Sequence, residues 1–144
     1  MLAPFFWLES PPSNVLIAGI GGGNLIRFFR NSLPKVKLTT VERDELAMKL
    51  AQKYFYVDRQ DAHFIIGDAF CTLENLSQQN DIIVIDLHLK KGMSDFLVEE
   101  SFYHHCYQNL SEEGIACLNI LPVDKHHLVT IMKVIRTVFN QRCL

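Results

Sequence analysis

Five short runs rich in β-branched residues, each followed by a segment of helical period, succeed one another between Asn14 and Asn140, and this alternation restricts the fold more than any other feature. It is the pattern of βαβ units feeding a parallel sheet. The runs are Val15 to Ala18, Val36 to Val41, Ala62 to Ile66, Asp81 to Asp86 and Ile115 to Leu121. Asp81-Ile-Ile-Val-Ile-Asp86 is continuously apolar between its two aspartates, as expected of a central strand covered by helices on both faces.

The first helix is expected to carry Leu25, Ile26, Phe28 and Phe29 and to end at Asn31 or Ser32, closed by Pro34. A second begins near Asp44, with Ala47, Leu50, Ala51 and Tyr54 at the spacing of one buried stripe. A short helix follows Gly67-Asp68-Ala69 as far as about Leu76. Phe96 to Leu110 reads as one helix with Phe102, Tyr103, Cys106 and Leu110 turned to the core, and Gly114 releases the chain into the fifth strand. The last helix starts near Asp124 and places Leu128, Ile131, Met132, Ile135, Val138 and Phe139 on one face. Right-handed crossovers then favour a Rossmann-like doubly wound parallel sheet with strand order 3-2-1-4-5. The 144 residues fit one domain spanning 1–144, with ligands outside the carboxyl ends of strands one and four.

A net charge of -2 supplies no basic face for nucleic acid. The apolar Phe5 to Leu8 is broken up by Pro4, Pro11 and Pro12 and has no basic flank, so neither a signal peptide nor a membrane span is expected. Cys71, Cys106, Cys117 and Cys143 lack any CxxC pairing and read as buried free thiols of a reducing cytoplasm. His104-His105 and His126-His127 are adjacent on helices and point about 100° apart, so they read as surface residues and no metal site is expected.

Gly19-Ile20-Gly21-Gly22-Gly23-Asn24 follows a strand and opens a helix, where glycines let the backbone approach a ligand. A dinucleotide fingerprint would have its third glycine at Asn24. Gly19, Gly21 and Gly23 instead fit the tight turn used for a nucleoside without phosphates, such as S-adenosylmethionine. Glu42, at the end of strand two, stands where a carboxylate accepts the ribose hydroxyls. Asp68 closes strand three, where it can accept the adenine amine beside the small Ala69, or cap the following helix. Asp44 reads as a helix cap. Asp86 ends strand four at the crevice, where a carboxylate can take a proton from an attacking amine or orient it, or pair with Lys90 or Lys91. His88, in the loop that follows, is the one histidine beside the crevice and is a candidate for substrate contact.

Val15-Leu-Ile-Ala-Gly-Ile-Gly-Gly-Gly-Asn-Leu25, with Val41-Glu-Arg-Asp44, Gly67-Asp-Ala69 and Asp81-Ile-Ile-Val-Ile-Asp86, resembles the spermidine synthase family, a branch of the S-adenosylmethionine-dependent methyltransferase fold. Phe102-Tyr103, Leu110 and Gly114-Ile115 extend the resemblance over most of Asn14 to Pro122. It implies that Glu42 binds ribose, Asp68 binds adenine and Asp86 activates an amine. The donor would be S-adenosylmethionine or its decarboxylated form, and the acceptor a small-molecule amine receiving an aminopropyl or methyl group. Synthases of the family carry Gly-Gly-Gly-Asp-Gly, whose aspartate holds the aminopropyl ammonium; this chain has Gly22 there. They also carry a second aspartate in the gate loop after strand four, where this chain offers only Asp95. A methyltransferase proper and a non-catalytic nucleoside-binding scaffold are the alternatives. The small β-domain that precedes the core in the synthases and the final hairpin strands of the methyltransferase fold have no counterpart, so the chain is either a fragment or a minimal homologue. The fifth strand is then expected to expose an edge, for which homodimerisation is one remedy.

Overall fold

A computed structural model describes residues 8–89, 92–93 and 95–140. The strands, in chain order, are β1 (Asn14–Ala18), β2 (Lys37–Glu42), β3 (His63–Ile66), β4 (Asn80–Ile85), β5 (His88–Leu89), β6 (Gly92–Met93) and β7 (Leu110–Leu118). The helices are α1 (Asn24–Ser32), α2 (Glu45–Tyr54), α3 (Ala69–Asn75), α4 (Glu100–Gln108) and α5 (Lys125–Val138), with one 3-10 turn over Asp95–Val98. Five strands pair in parallel in the order β3-β2-β1-β4-β7, the Rossmann-like 3-2-1-4-5 arrangement expected for the five runs. Among the described residues β3 and β7 are the edges. No helix among them is long and apolar enough to cross a membrane.

Strand side chains alternate between the two faces of the sheet, so β1 and β4 feed two separate cores. Val15, Ile17, Ile82 and Val84 pack beneath α1 and α2 against Ile26, Phe29 and Ala51. Leu16, Ala18, Ile83 and Ile85 pack on the opposite face with Leu73 of α3, Phe102, Tyr103 and Cys106 of α4, and Ile131 and Ile135 of α5. All four β4 residues from Ile82 to Ile85 are buried, which is why that run has no polar alternation.

Several local expectations change. On α2 only Ala51 is buried, with Ala47 and Met48 packed partly beside it, while Leu50 and Tyr54 face outward. The small Ala51 lets the helix sit close to the glycine turn. The segment predicted as one helix from Phe96 to Leu110 divides at Glu99, which is extended, and the Tyr103 hydroxyl donates to the Leu97 carbonyl at 2.7 Å. Leu110 belongs to β7, paired with Asn80, and the chain then bulges before Ile115 pairs with Ile82. Gly114 sits in that bulge, where a Cβ would come within 2.7 Å of the Asn80 carbonyl oxygen. Residues 88–93, read as a loop, contain the β5–β6 antiparallel pair.

Of the four cysteines, Cys106 is buried, Cys117 is half-buried and Cys71 is exposed, contrary to the expectation that all are buried; Cys143 lies outside the described residues. Burial pushes the Cys106 thiol up to about 12 and also raises that of Cys117. Neither thiol ionises readily.

Asp81 fastens the entry to β1. Its Oδ2 accepts from the Ser13 and Asn14 amides at 2.7 and 3.1 Å, and its Oδ1 from the Ser111 hydroxyl at 3.0 Å. Desolvation raises the carboxyl, but the Asn14 and Ser13 amides and the Ser111 hydroxyl outweigh it and hold the group below its ordinary value. A carboxyl depressed in the folded state stabilises above the unfolded value, near 4, and loses that contribution as the pH falls through the folded value. Asp81→Asn should therefore lower the thermal midpoint at pH 7, and the gap from wild type should close as the pH falls below the lowered value of the folded carboxyl. A gap of constant size down to that pH would mean that the charge of Asp81 contributes nothing.

Candidate functional site

The carboxyl ends of β1, β2, β3 and β4 lie side by side, and each parallel ladder runs one bond past its strand. Gly19 N donates to Val41 O, Gly67 N to Glu42 O, and Asp86 N to Ala18 O, at 2.8 to 2.9 Å. Those bonds bring the glycine turn, Glu42, Asp68 and Asp86 to one edge of the sheet. The sequence-predicted residues are therefore assembled by backbone pairing.

The glycines of the turn differ in what they do. Gly19 has φ +98, and a Cβ there would collide with the carbonyl oxygen of Asp86. Gly23 has φ +69, and a Cβ there would collide with Val57. Two of the four are thus required by packing within the chain. Gly21, at φ +48, has nothing within 4 Å of the point where a Cβ would stand, so its surface is open to a ligand. Gly22 has no positive φ, and a Cβ there would lie 3.5 Å from the Phe55 ring, an ordinary contact. Position 22 can therefore hold a side chain.

Glu42 accepts from Ile20 N through Oε2 at 3.1 Å and from Asp44 N through Oε1 at 2.9 Å. The carboxylate ties β2 to the glycine turn. Its two oxygens offer about four lone-pair directions, so these two bonds leave capacity for further donors such as ribose hydroxyls. Asp44 caps α2 through Leu46 N, as expected. Asp68 caps α3, with Oδ1 accepting from Phe70 N at 2.9 Å and Cys71 N at 3.3 Å. Both bonds fall on one oxygen, so capping leaves Oδ2 with acceptor capacity for an exocyclic amine. Ala69 is buried directly after it.

Asp86 carries one partner that sequence reasoning missed: Asn119 Nδ2 donates to Asp86 Oδ1 at 2.9 Å. Asn119 is the first residue beyond β7, and its amide donates to Ile85 O at 2.9 Å. Since β4 and β7 pair Ile85 with Leu118, Asp86 and Asn119 are the next pair in register. Asn119 is the one strongly polar residue in the run Ile115 to Leu121, a signal that gains meaning once strands four and five are known to be neighbours. His88 opens β5, and its side chain lies outside the described residues, as do those of Lys90, Lys91 and Asp95. His104 instead meets Glu100 on the surface of α4, and His127 lies at the start of α5. Among the described residues no three His, Cys, Asp or Glu side chains are grouped to hold a metal ion.

A parallel sheet in this order, with a glycine turn and three carboxylates at its carboxyl edge, defines a Rossmann-like fold of the methyltransferase type. The model for the spermine/spermidine synthase domain matches residues 1–142, and the chain belongs to that family. It is 26% identical, over all of its length and 55% of the relative's, to a polyamine aminopropyltransferase of Neisseria meningitidis serogroup B (strain ATCC BAA-335 / MC58). It is 28% identical to the Drosophila melanogaster eEF1A lysine and N-terminal methyltransferase homolog, matching 90% of this chain and 21% of that protein. The chain thus spans about half, or less, of these relatives. Human methyltransferase-like protein 13 in complex with SAH superposes with a TM-score of 0.83 at 26% identity, over 94% of this chain and 66% of that one. A spermidine synthase in complex with the transition-state analogue AdoDATO gives 0.78 at 26% identity, over 92% and 48%.

Because the Asp86 backbone occupies the space beside Gly19, Gly19→Ala should destabilise the fold by ~3 kcal/mol or more, combining a backbone collision with left-handed strain. Gly21→Ala carries the strain alone and should cost ~1 kcal/mol. Denaturant unfolding of the two variants checks this ordering; equal losses would refute the close approach.

Proposed function

We propose that this chain binds S-adenosylmethionine over Gly19, Gly21, Gly22 and Gly23 and transfers its methyl group to an amine held at Asp86. The observation that carries the reading is the convergence of the glycine turn, Glu42, Asp68 and Asp86 on one edge of the sheet. Glu42 would accept the ribose hydroxyls with the lone pairs left after Ile20 N and Asp44 N. Asp68 Oδ2 would accept the adenine amine, with Ala69 leaving room for the ring. The solved relative with SAH and the relative named as a methyltransferase support this donor class.

When bound, the donor supplies an electrophilic carbon on a sulfonium, which passes to the amine nitrogen as its bond to sulfur breaks and a neutral thioether departs. The acceptor nitrogen must be unprotonated to attack. Asp86 would orient the amine and take the proton it sheds, and Asn119 keeps one oxygen of that carboxylate engaged. His88 is proposed to contact the acceptor.

A second reading is aminopropyl transfer from decarboxylated S-adenosylmethionine, favoured by family membership and by the aminopropyltransferase relatives. Gly22 favours the methyl reading. It offers no carboxylate to an aminopropyl ammonium and leaves space for the carboxylate of ordinary S-adenosylmethionine. The acceptor is proposed to be a small-molecule amine.

Calorimetric titration with S-adenosylmethionine, its decarboxylated form, S-adenosylhomocysteine and NAD should show the first and third binding. Glu42→Ala should weaken both at least tenfold, as expected for losing a charged partner of two hydroxyls. Asp86→Asn should keep donor affinity and lose at least ~100-fold in transfer, within the usual range for a removed general base. Gly22→Asp should move preference toward the decarboxylated donor. Absence of binding by all four ligands would defeat the cofactor assignment, and wild-type preference for the decarboxylated donor would overturn the methyl reading in favour of aminopropyl transfer.

A further inference from the structure

We propose that Asn119 is a positioning residue for Asp86, presenting its carboxylate to the acceptor amine; this rests on the role given to Asp86 above. The placement follows from the sheet. Parallel pairing of β4 with β7 ends at Ile85 and Leu118, and the Asn119 amide extends the ladder to the Ile85 carbonyl. Residues paired in register on adjacent strands project to the same face, so the Asp86 and Asn119 side chains leave the carboxyl edge together.

The chemistry of the contact has one sense. An ionised carboxylate only accepts hydrogen bonds, so the carboxamide atom 2.9 Å from Asp86 Oδ1 must be the Nδ2 donor. Asn119 is anchored twice, through its backbone amide on Ile85 O and its side chain on Asp86, so the donor is held on a strand end and not on a mobile loop. On the other side Asp86 is fixed by its own amide on Ala18 O and by the Gly19 turn. A carboxylate held at its backbone and at one oxygen has fewer orientations to lose, which is what a group that must meet an acceptor amine in fixed geometry requires. An amide is also neutral at every working pH, so it supplies a donor without a competing charge. A hydrophobic residue at 119 would fill the space but supply no donor. An aspartate would fill it with the same shape and place a second acceptor against the first.

The isosteric variant separates positioning from packing. Asn119→Asp preserves volume and removes the donor, so it should lower kcat at least as far as Asn119→Ala, by ~10-fold or more, with donor KM within about twofold. In an Asp86→Asn background Asn119→Ala should add little, since the two act as one unit. Independently of turnover, the side-chain amide of Asn119 should give an NMR resonance displaced downfield and slow to exchange with solvent, and Asp86→Ala should return it to the range of exposed amides. Wild-type turnover in Asn119→Asp, or an amide resonance indifferent to Asp86→Ala, overturns the proposal while leaving the proposed function standing. If the wild type transfers nothing to any amine, the role of Asp86 falls and the positioning role falls with it.

Discussion

The backbone of Asp86 passes so close to Gly19 that no side chain fits between them, and the architecture of the site depends on that approach. It couples β1 to β4 at the edge where their ladder ends, through Asp86 N on Ala18 O. With a larger residue at position 19 the glycine turn would be pushed away from β4. The surface proposed for the nucleoside and the carboxylate proposed to handle the amine would then separate. A glycine usually read as leaving room for a ligand here leaves room for the chain itself, and Gly23 does the same for Val57. Gly21 is the position whose openness faces outward.

The carboxylates of the site are held before any ligand arrives. Glu42 bridges the glycine turn and the start of α2, Asp68 caps α3, and Asp86 is tied to Asn119. Glu42 and Asp68 each spend two lone pairs on the protein and retain others, which is how a single residue can serve both the fold and a ligand. Asking whether Asp68 is a cap or a ligand therefore poses a false choice. Its capping bonds use Oδ1, and Oδ2 keeps its acceptor capacity. Pre-fixed acceptors of this kind reduce the ordering that binding would otherwise require.

Asp44, Asp68 and Asp124 were readable as helix starts because a short acidic side chain satisfies the free amides of a first turn whatever surrounds it. The β4 run was readable because burial on both faces demands an unbroken apolar sequence. The α2 stripe was not, since Ala47, Leu50, Ala51 and Tyr54 satisfy helical spacing whether or not the helix rotates to bury them all. The sheet chose the rotation that puts Ala51 inward. The Phe96 to Leu110 segment has helical period throughout, yet Glu99 interrupts it, and pairing with Asn80 draws Leu110 into a strand. Periodicity carries no information about a partner strand about thirty residues away.

The same boundary divides the site. Local chemistry placed Gly19, Gly21, Gly22, Gly23, Glu42, Asp68, Ala69 and Asp86 at the ends of recognisable elements, because strand-to-helix junctions in such a sheet all open on one edge. Asn119 interrupts the apolar run Ile115 to Leu121, and its meaning appears only when β4 and β7 lie in register. Sequence alone thus determined the alternation, the carboxyl ends of the first four strands to within a residue and the acidic groups standing on them, since these follow from propensity, burial pattern and capping; the fifth strand, expected over Ile115 to Leu121, runs instead over Leu110–Leu118. Tertiary structure alone decided which backbone crowds Gly19, which face of α2 is buried and which side chain reaches Asp86, since those are set by contacts between segments far apart in the chain.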